Sequence, residues 1–436
     1  MPYFLTLFYV VFSYLRPGEQ FLDLAPYRIM LWLGLAAGLA AGCKYLLRGR
    51  WGFKSRDVLL VTTFTVMIVV SRIATGWLGG AWLAFEDFGL TAAVFFCIVI
   101  TVDSIRRLRI LAVSIVLALL VIVAQSFAAY HYGYQAEVFV LNQGVDSQND
   151  APVDDQDQSK PQGLLRIRAL GFLNDPNDLG QALVMALPFV ALAWRRGRRL
   201  RNLVLVHVPV AIFLIAVYLT HSRGAVFSLL VLVLVAARKR LGNTKAALAG
   251  ALLVMVALAA NVSGGRAVSS SDASGEGRLD AWSAGLQMLR GNPVFGVGYN
   301  FFTENHELTA HNSFVLCFAE LGLAGYLVWL AMLGVSHAEL ASLEDGESPE
   351  ELDVRRWARA MHLSLYSFLA AAFFLSRTYS LGLYILLGMS AALVEIAHAR
   401  DQPVVAPRFS WVLRRAAVFE VASIALIYAL MRVRHV

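Results

Sequence analysis

Long apolar runs broken by short charged clusters set the rhythm of this chain. Runs lie near 3–15, 27–46, 58–76, 88–102, 108–129, 179–194, 203–220, 224–237, 246–261, 313–335, 361–377, 380–398 and 411–431. A helix needs ~20 residues to cross ~30 Å of hydrocarbon. The pattern therefore predicts an all-α, polytopic membrane protein forming a single transmembrane domain over 1–436. Run 3–15 is short, and run 411–431 carries Arg414, Arg415 and Glu420, so 12 or 13 spans are expected. Run 3–15 has no basic leader and no small-residue cleavage site, which reads as a span rather than a signal peptide. No solenoid repeat is visible, and no second half mirrors the first as in many transporters.

The segments between the runs differ in character. Residues 143–160, within the connection 130–178, are acidic and lack aromatics, as a mobile loop does. Residues 262–277, opening the segment 262–312, are a Gly/Ser-rich tether. Leu279, Trp282, Leu286 and Leu289 then repeat at helical spacing, and Gly291-Asn292-Pro293 stops the stripe. A helix over 279–290 is too short to span, so it is expected to lie on the membrane–water boundary, apolar stripe down. Residues 336–359 read as an acidic, partly helical loop.

Composition and charge turn this pattern into a topology. Hydrophobic residues make up 58% of the chain and charged residues 15%, against about 25% charge in soluble domains. The net charge of +7 raises the question of nucleic acid, but the cations cluster in short loops. With the N-terminus inside, four inside loops hold Lys44, Arg48, Arg50, Lys54, Arg56; Arg106, Arg107, Arg109; Arg195, Arg196, Arg198, Arg199, Arg201; and Arg238, Lys239, Arg240, Lys245. The two long outside segments hold only Lys160, Arg166, Arg168, Arg266, Arg278 and Arg290. That asymmetry obeys the positive-inside rule and argues against nucleic acid. Cys43, Cys97 and Cys317 lie inside apolar runs without metal-ligand spacing and read as small buried hydrophobes.

Few charges remain that could do chemistry. His221-Ser222-Arg223-Gly224 forms a tight outer turn in which Ser222 can cap the following helix and Arg223 falls in its first turn. A cation there opposes the helix dipole unless an anion is nearby. Arg278 repeats the situation at the expected start of the 279–290 helix. Two arginines at helix N-termini on one side of a membrane describe a phosphate site; the alternative is that each reaches to lipid headgroups. His311 precedes Asn312 and Ser313, either of which can cap the run at 313. An imidazole beside a helix N-terminus is held neutral, as a general base must be; the alternative is a hydrogen-bonded loop histidine. His131, His221 and His306 receive only that second reading. Asn174, Asp175, Asn177 and Asp178 flank Pro176 with turn and cap chemistry, with sugar hydrogen bonding as the functional alternative for Asn174 and Asn177. Glu320, nine residues into its run, must face the interior, paired or protonated.

One motif points further. His311, Asn312, nine residues, Gly322, two residues and Gly325 make a complete match to the signature of the bacterial O-antigen ligase and polysaccharide polymerase superfamily, which the sequence resembles. Glu320-Leu321-Gly322, Ser222-Arg223-Gly224, Arg278-Leu279 with Trp282, Asn292-Pro293, Gly296-Val297-Gly298 and 171–180 (GFLNDPNDLG) are similar to its other recurring blocks, in order over ~168–330. The first 130 residues resemble it only as hydrophobic spans.

The resemblance implies a GT-C-like helical fold in the bacterial inner membrane, with a periplasmic active site. It implies transfer of a glycan from undecaprenyl diphosphate to an acceptor hydroxyl, without metal or nucleotide cofactor. Arg223 and Arg278 would hold the diphosphate, His311 would take the acceptor proton, and Asn312, Glu320, Asn174, Asn177 and Ser222 would support them. A ligase would use lipid A–core as acceptor, and a polymerase another lipid-linked saccharide. A polysaccharide or lipid transporter is the rival from another class; it predicts ionisable residues near mid-membrane, whereas the central runs here are almost free of them.

Overall fold

The computed structural model describes the chain except for residues 49–51, 144–163, 260–272, 345–351, 403, 405–407 and 435–436. Nearly all of the expected loop 143–160 and most of the tether 262–277 lie outside the described residues. The principal helices are α1 (Pro2–Leu15), α2 (Ile29–Leu47), α3 (Asp57–Ala74), α4 (Leu78–Thr101), α5 (Ile105–Tyr132), α6 (Pro176–Ala191), α7 (Val208–Leu219), α8 (Arg223–Ala259), α9 (Ala273–Gly291), α10 (Ser313–Glu344), α11 (Leu352–Ala372), α12 (Leu381–His398) and α13 (Phe409–Arg434). A short hairpin, β1 (Val140–Gln143) with β2 (Leu164–Ile167), interrupts them. The protein is an all-α polytopic membrane protein.

Among the described residues, seven helical segments are long and apolar enough to cross a membrane: Asp23–Leu47, Asp57–Ala74, Leu78–Thr101, Ile105–Tyr132, Arg199–Leu219, Ser313–Glu344 and Leu381–His398. By that measure the expected 12 or 13 spans are not reached, because several apolar runs belong to helices that are short or charged. The runs 224–237 and 246–261 are two helical segments of α8 meeting at Gly242 (φ 76°, ψ 167°). The run at 88–102 lies in a helix that starts ten residues earlier and takes in Glu86 and Asp87.

The single domain expected over 1–436 resolves into two compact units. The first comprises Met1–Tyr9, Trp32–Leu111 and Ala267–Val436. Its centre is α10 and α12, whose Tyr326, Trp329 and Tyr384 are fully buried with Phe64, Phe88 and Phe95 from α3 and α4. Its outer helices present Trp32, Leu35 and Leu39 on α2, and Val418, Val421 and Leu426 on α13, to the surroundings. Apolar faces of that extent are stable against lipid, not water. The free N–H groups at the start of α3 are capped from neighbouring helices: Glu339 on α10 accepts from Arg56 N (3.1 Å), and Glu395 on α12 from Ser55 N (3.1 Å). Cys97 and Cys317 are buried as expected, but Cys43 is exposed on α2.

The second unit comprises Val10–Leu31 and Ala112–Arg266. Its hairpin pairs Val140 with Ile167 and Gln143 with Leu164, antiparallel. These strands carry no long alternating pattern, so the hydrophobic period did not reveal them. Asp175 caps α6 by accepting from Asn177 N (2.7 Å), with Pro176 at the first helical position.

Candidate functional site

In the first unit, the signature residues organise the start of α10. Asn312, fully buried, caps the helix: its Oδ1 accepts from Phe314 N (2.9 Å) and Val315 N (3.2 Å). Ser313 Oγ donates to Leu375 O (2.6 Å) and accepts from Arg377 N (2.8 Å), while Thr378 Oγ1 donates to Ser313 O (2.7 Å). The α11–α12 connection is thereby latched onto the helix start. His311, half-buried, sits just before the cap in a left-handed backbone conformation (φ 48°), which a non-glycine residue adopts only when its surroundings enforce it.

What fixes His311 from the other side is α9. Trp282 Nε1 donates to Ala310 O (3.0 Å), and a Cβ at Gly277 would stand 2.9 Å from Leu308 Cδ1. Arg278 lies between these two anchors, four residues before Trp282 and hence on the same helix face. The 308–311 loop is therefore anchored to the α9 segment that carries Arg278. One expectation for α9 changes. The helix begins at Ala273, so Arg278 lies beyond its first turn and has no free N–H groups beside it. Ala281, Trp282, Met288 and Leu289 are buried, and α9 packs on α10, where a Cβ at Gly285 would stand 2.5 Å from Val315 Cγ1.

The rest of the signature explains itself through a break in α10. Gly322 has φ 63° and ψ −168°, a region open essentially to glycine alone. Residues 293–298 fill the break as a strap built on a turn, in which Gly296 N donates to Asn292 O (3.0 Å). Val297 N donates to Ala319 O (2.9 Å), Gly298 N to Glu320 O (3.0 Å), Leu323 N to Pro293 O (2.9 Å) and Ala324 N to Val294 O (3.1 Å). Backbone groups released by the break thus find partners inside protein, the condition for irregular backbone at membrane depth.

Glu320, 2% exposed, sits at this break. Its carboxylate accepts from Tyr379 Oη (2.8 Å) and Phe302 N (3.1 Å). Tyr379 meets Tyr299 edge-on with ring centroids 4.7 Å apart, and Tyr299 Oη donates to Asp87 Oδ2 (2.7 Å). Burial, then the Asp87 charge, raises the Tyr299 pKa; burial, then Glu320, raises that of Tyr379. Both phenols stay protonated donors. The sequence places Glu320 in the interior and offers Ser313 as a possible cap, but Tyr299, Arg377 and Tyr379 carry no motif and arrive only by packing.

In the second unit, α8 starts at Arg223, and Ser222 Oγ accepts from Ala225 N (3.2 Å). His221 ahead of it is left-handed (φ 48°), the same arrangement as His311 before its cap. Arg166 on β2, 3% exposed, donates from Nε to Thr220 O (2.8 Å) and from Nη2 to Asn177 Oδ1 (3.1 Å). It ties the hairpin, the Arg223 turn and the start of α6 together. Asn177 thus belongs to this cluster, whereas Asn174 is exposed at the end of a short 3-10 turn.

A search of curated proteins returned no match. Residues 208–330 match the family model described as O-antigen ligase. The matched segment contains the Ser222-Arg223-Gly224 turn, Arg278 with Trp282, and the whole His311–Gly325 signature, so over these residues the chain is similar to the O-antigen ligase/polymerase superfamily, and the match supports that relationship.

Proposed function

We propose that the protein is a ligase-type glycosyltransferase, moving a glycan from undecaprenyl diphosphate to a hydroxyl of lipid A–core on the periplasmic face of the inner membrane. His311 takes the proton of the acceptor hydroxyl, whose oxygen attacks the anomeric carbon of the donor sugar. The bond from that carbon to the phosphate oxygen breaks, with inversion, and the electron pair leaves on the diphosphate. Arg278 and Arg223 hold that diphosphate and offset the charge growing on it. The observation that supports this reading is that the loop ending in His311 is anchored to α9 on either side of Arg278 in sequence: Trp282 Nε1 donates to Ala310 O, and a Cβ at Gly277 would meet Leu308. An imidazole in a left-handed turn on a loop tied to an arginine-bearing helix suits an acceptor hydroxyl meeting a phosphate-linked sugar.

The test is glycan transfer in membranes. His311→Ala at normal expression is expected to lose transfer, and full activity would remove the residue from the mechanism. Arg223→Lys keeps the charge but loses the bidentate fork, so a large loss is expected; parental rates would refute clamping. A deletion strain separates ligase from polymerase: uncapped core with accumulated long lipid-linked polymer means ligase, and single repeat units mean polymerase.

A further inference from the structure

Arg72, near the end of α3, is an arginine for which the mechanism above has no use. It is 7% exposed, and its guanidinium carbon lies 3.5 Å from the Phe301 ring centroid and 4.9 Å from that of Trp77. Its Nε and Nη1 are buried without hydrogen-bond partners among the described residues. Charged donors are rarely left so, because an unmade bond to a buried charge is costly. Acceptor oxygens from outside the chain would complete it.

The surroundings say which oxygens. Trp77 is 46% exposed and Phe301 partly so. Asn300 and Glu304, on either side of Phe301 in the chain, are exposed. The carboxylates whose charge reaches Arg72 are Glu320 and Glu304. A phosphate would meet one guanidinium against these two negative charges. A neutral sugar meets complementary chemistry: hydroxyl oxygens accept from Arg72, hydroxyl hydrogens go to Glu304, and the apolar ring face lies on aromatic carbon. We propose that Arg72, Trp77, Phe301 and Glu304 form a subsite for a neutral sugar residue. Tyr299 and Tyr379 connect it to Glu320, and the Tyr379 connection is latched to Ser313, two residues past His311. That this sugar belongs to the transferred or receiving glycan rests on the glycosyl-transfer reading; that a saccharide binds does not.

The experiment is calorimetric titration of the full-length protein in detergent with neutral oligosaccharides released by mild acid from the host's surface polysaccharide. Arg72→Ala and Trp77→Ala are expected to weaken binding at least tenfold. Glu304→Gln, at an exposed position, should weaken it severalfold. Gly38→Ala, where a Cβ meets nothing within 4 Å, should bind as the parent does. Inorganic diphosphate should bind Arg72→Ala and parent alike. Absence of oligosaccharide binding by the parent, equal affinity in all four variants, or selective loss of diphosphate binding in Arg72→Ala would overturn the subsite. A protein that binds sugar through Arg72 yet transfers none would instead count against the proposed function.

Discussion

Replacing Gly322 with alanine tests the reading of the signature glycine as a break in α10. The new Cβ would fall onto the Val294 carbonyl group and 2.6 Å from Gly296 N, all backbone atoms that no rotamer can move aside. The conformation at φ 63° costs a non-glycine residue about 1–3 kcal/mol. Relieving the overlap means lifting the strap, and each of the backbone bonds that hold it contributes about 0.5–1.5 kcal/mol. The combined loss is on the order of 5 kcal/mol, a large share of the ~5–15 kcal/mol that stabilises a typical domain. Thermal unfolding in detergent, followed by fluorescence, should show a strongly lowered midpoint or no folded species. Gly38→Ala is the control, since nothing lies within 4 Å of a Cβ there. Parental midpoint and transfer activity in Gly322→Ala would refute both the break and the strap.

Two further substitutions probe the neighbouring contacts. Glu320→Ala strands the Tyr379 hydroxyl and the Phe302 N–H in a buried site, about 1–3 kcal/mol for each group, whereas Glu320→Gln can satisfy both; equal melting of the two variants would contradict this bonding. Asn312→Ala removes the α10 cap at about 0.5–2 kcal/mol, and Asn312→Asp should restore it, so an unchanged midpoint for the alanine variant would mean the helix start is held by the Ser313 latch alone.

The sequence by itself determined the membrane, the helical class and the likeness to a family. Apolar run length and scarce charge leave a chain no other environment, and the His311–Gly325 spacing is a one-dimensional pattern. It also placed local chemistry: a Ser at the Arg223 turn and an Asn after His311 can cap only the helix that follows them. Helix limits were less legible, since α9 extends to Ala273 through a Gly/Ser stretch and α4 takes in two acidic residues. The tertiary structure alone decided which groups meet. Tyr379 reaches Glu320 across 59 residues, Tyr299 reaches Asp87 across 212, and the loop before His311 is anchored to α9 through Trp282 and Gly277. No local period encodes such contacts; they exist because buried polar groups must find partners once the apolar faces have packed.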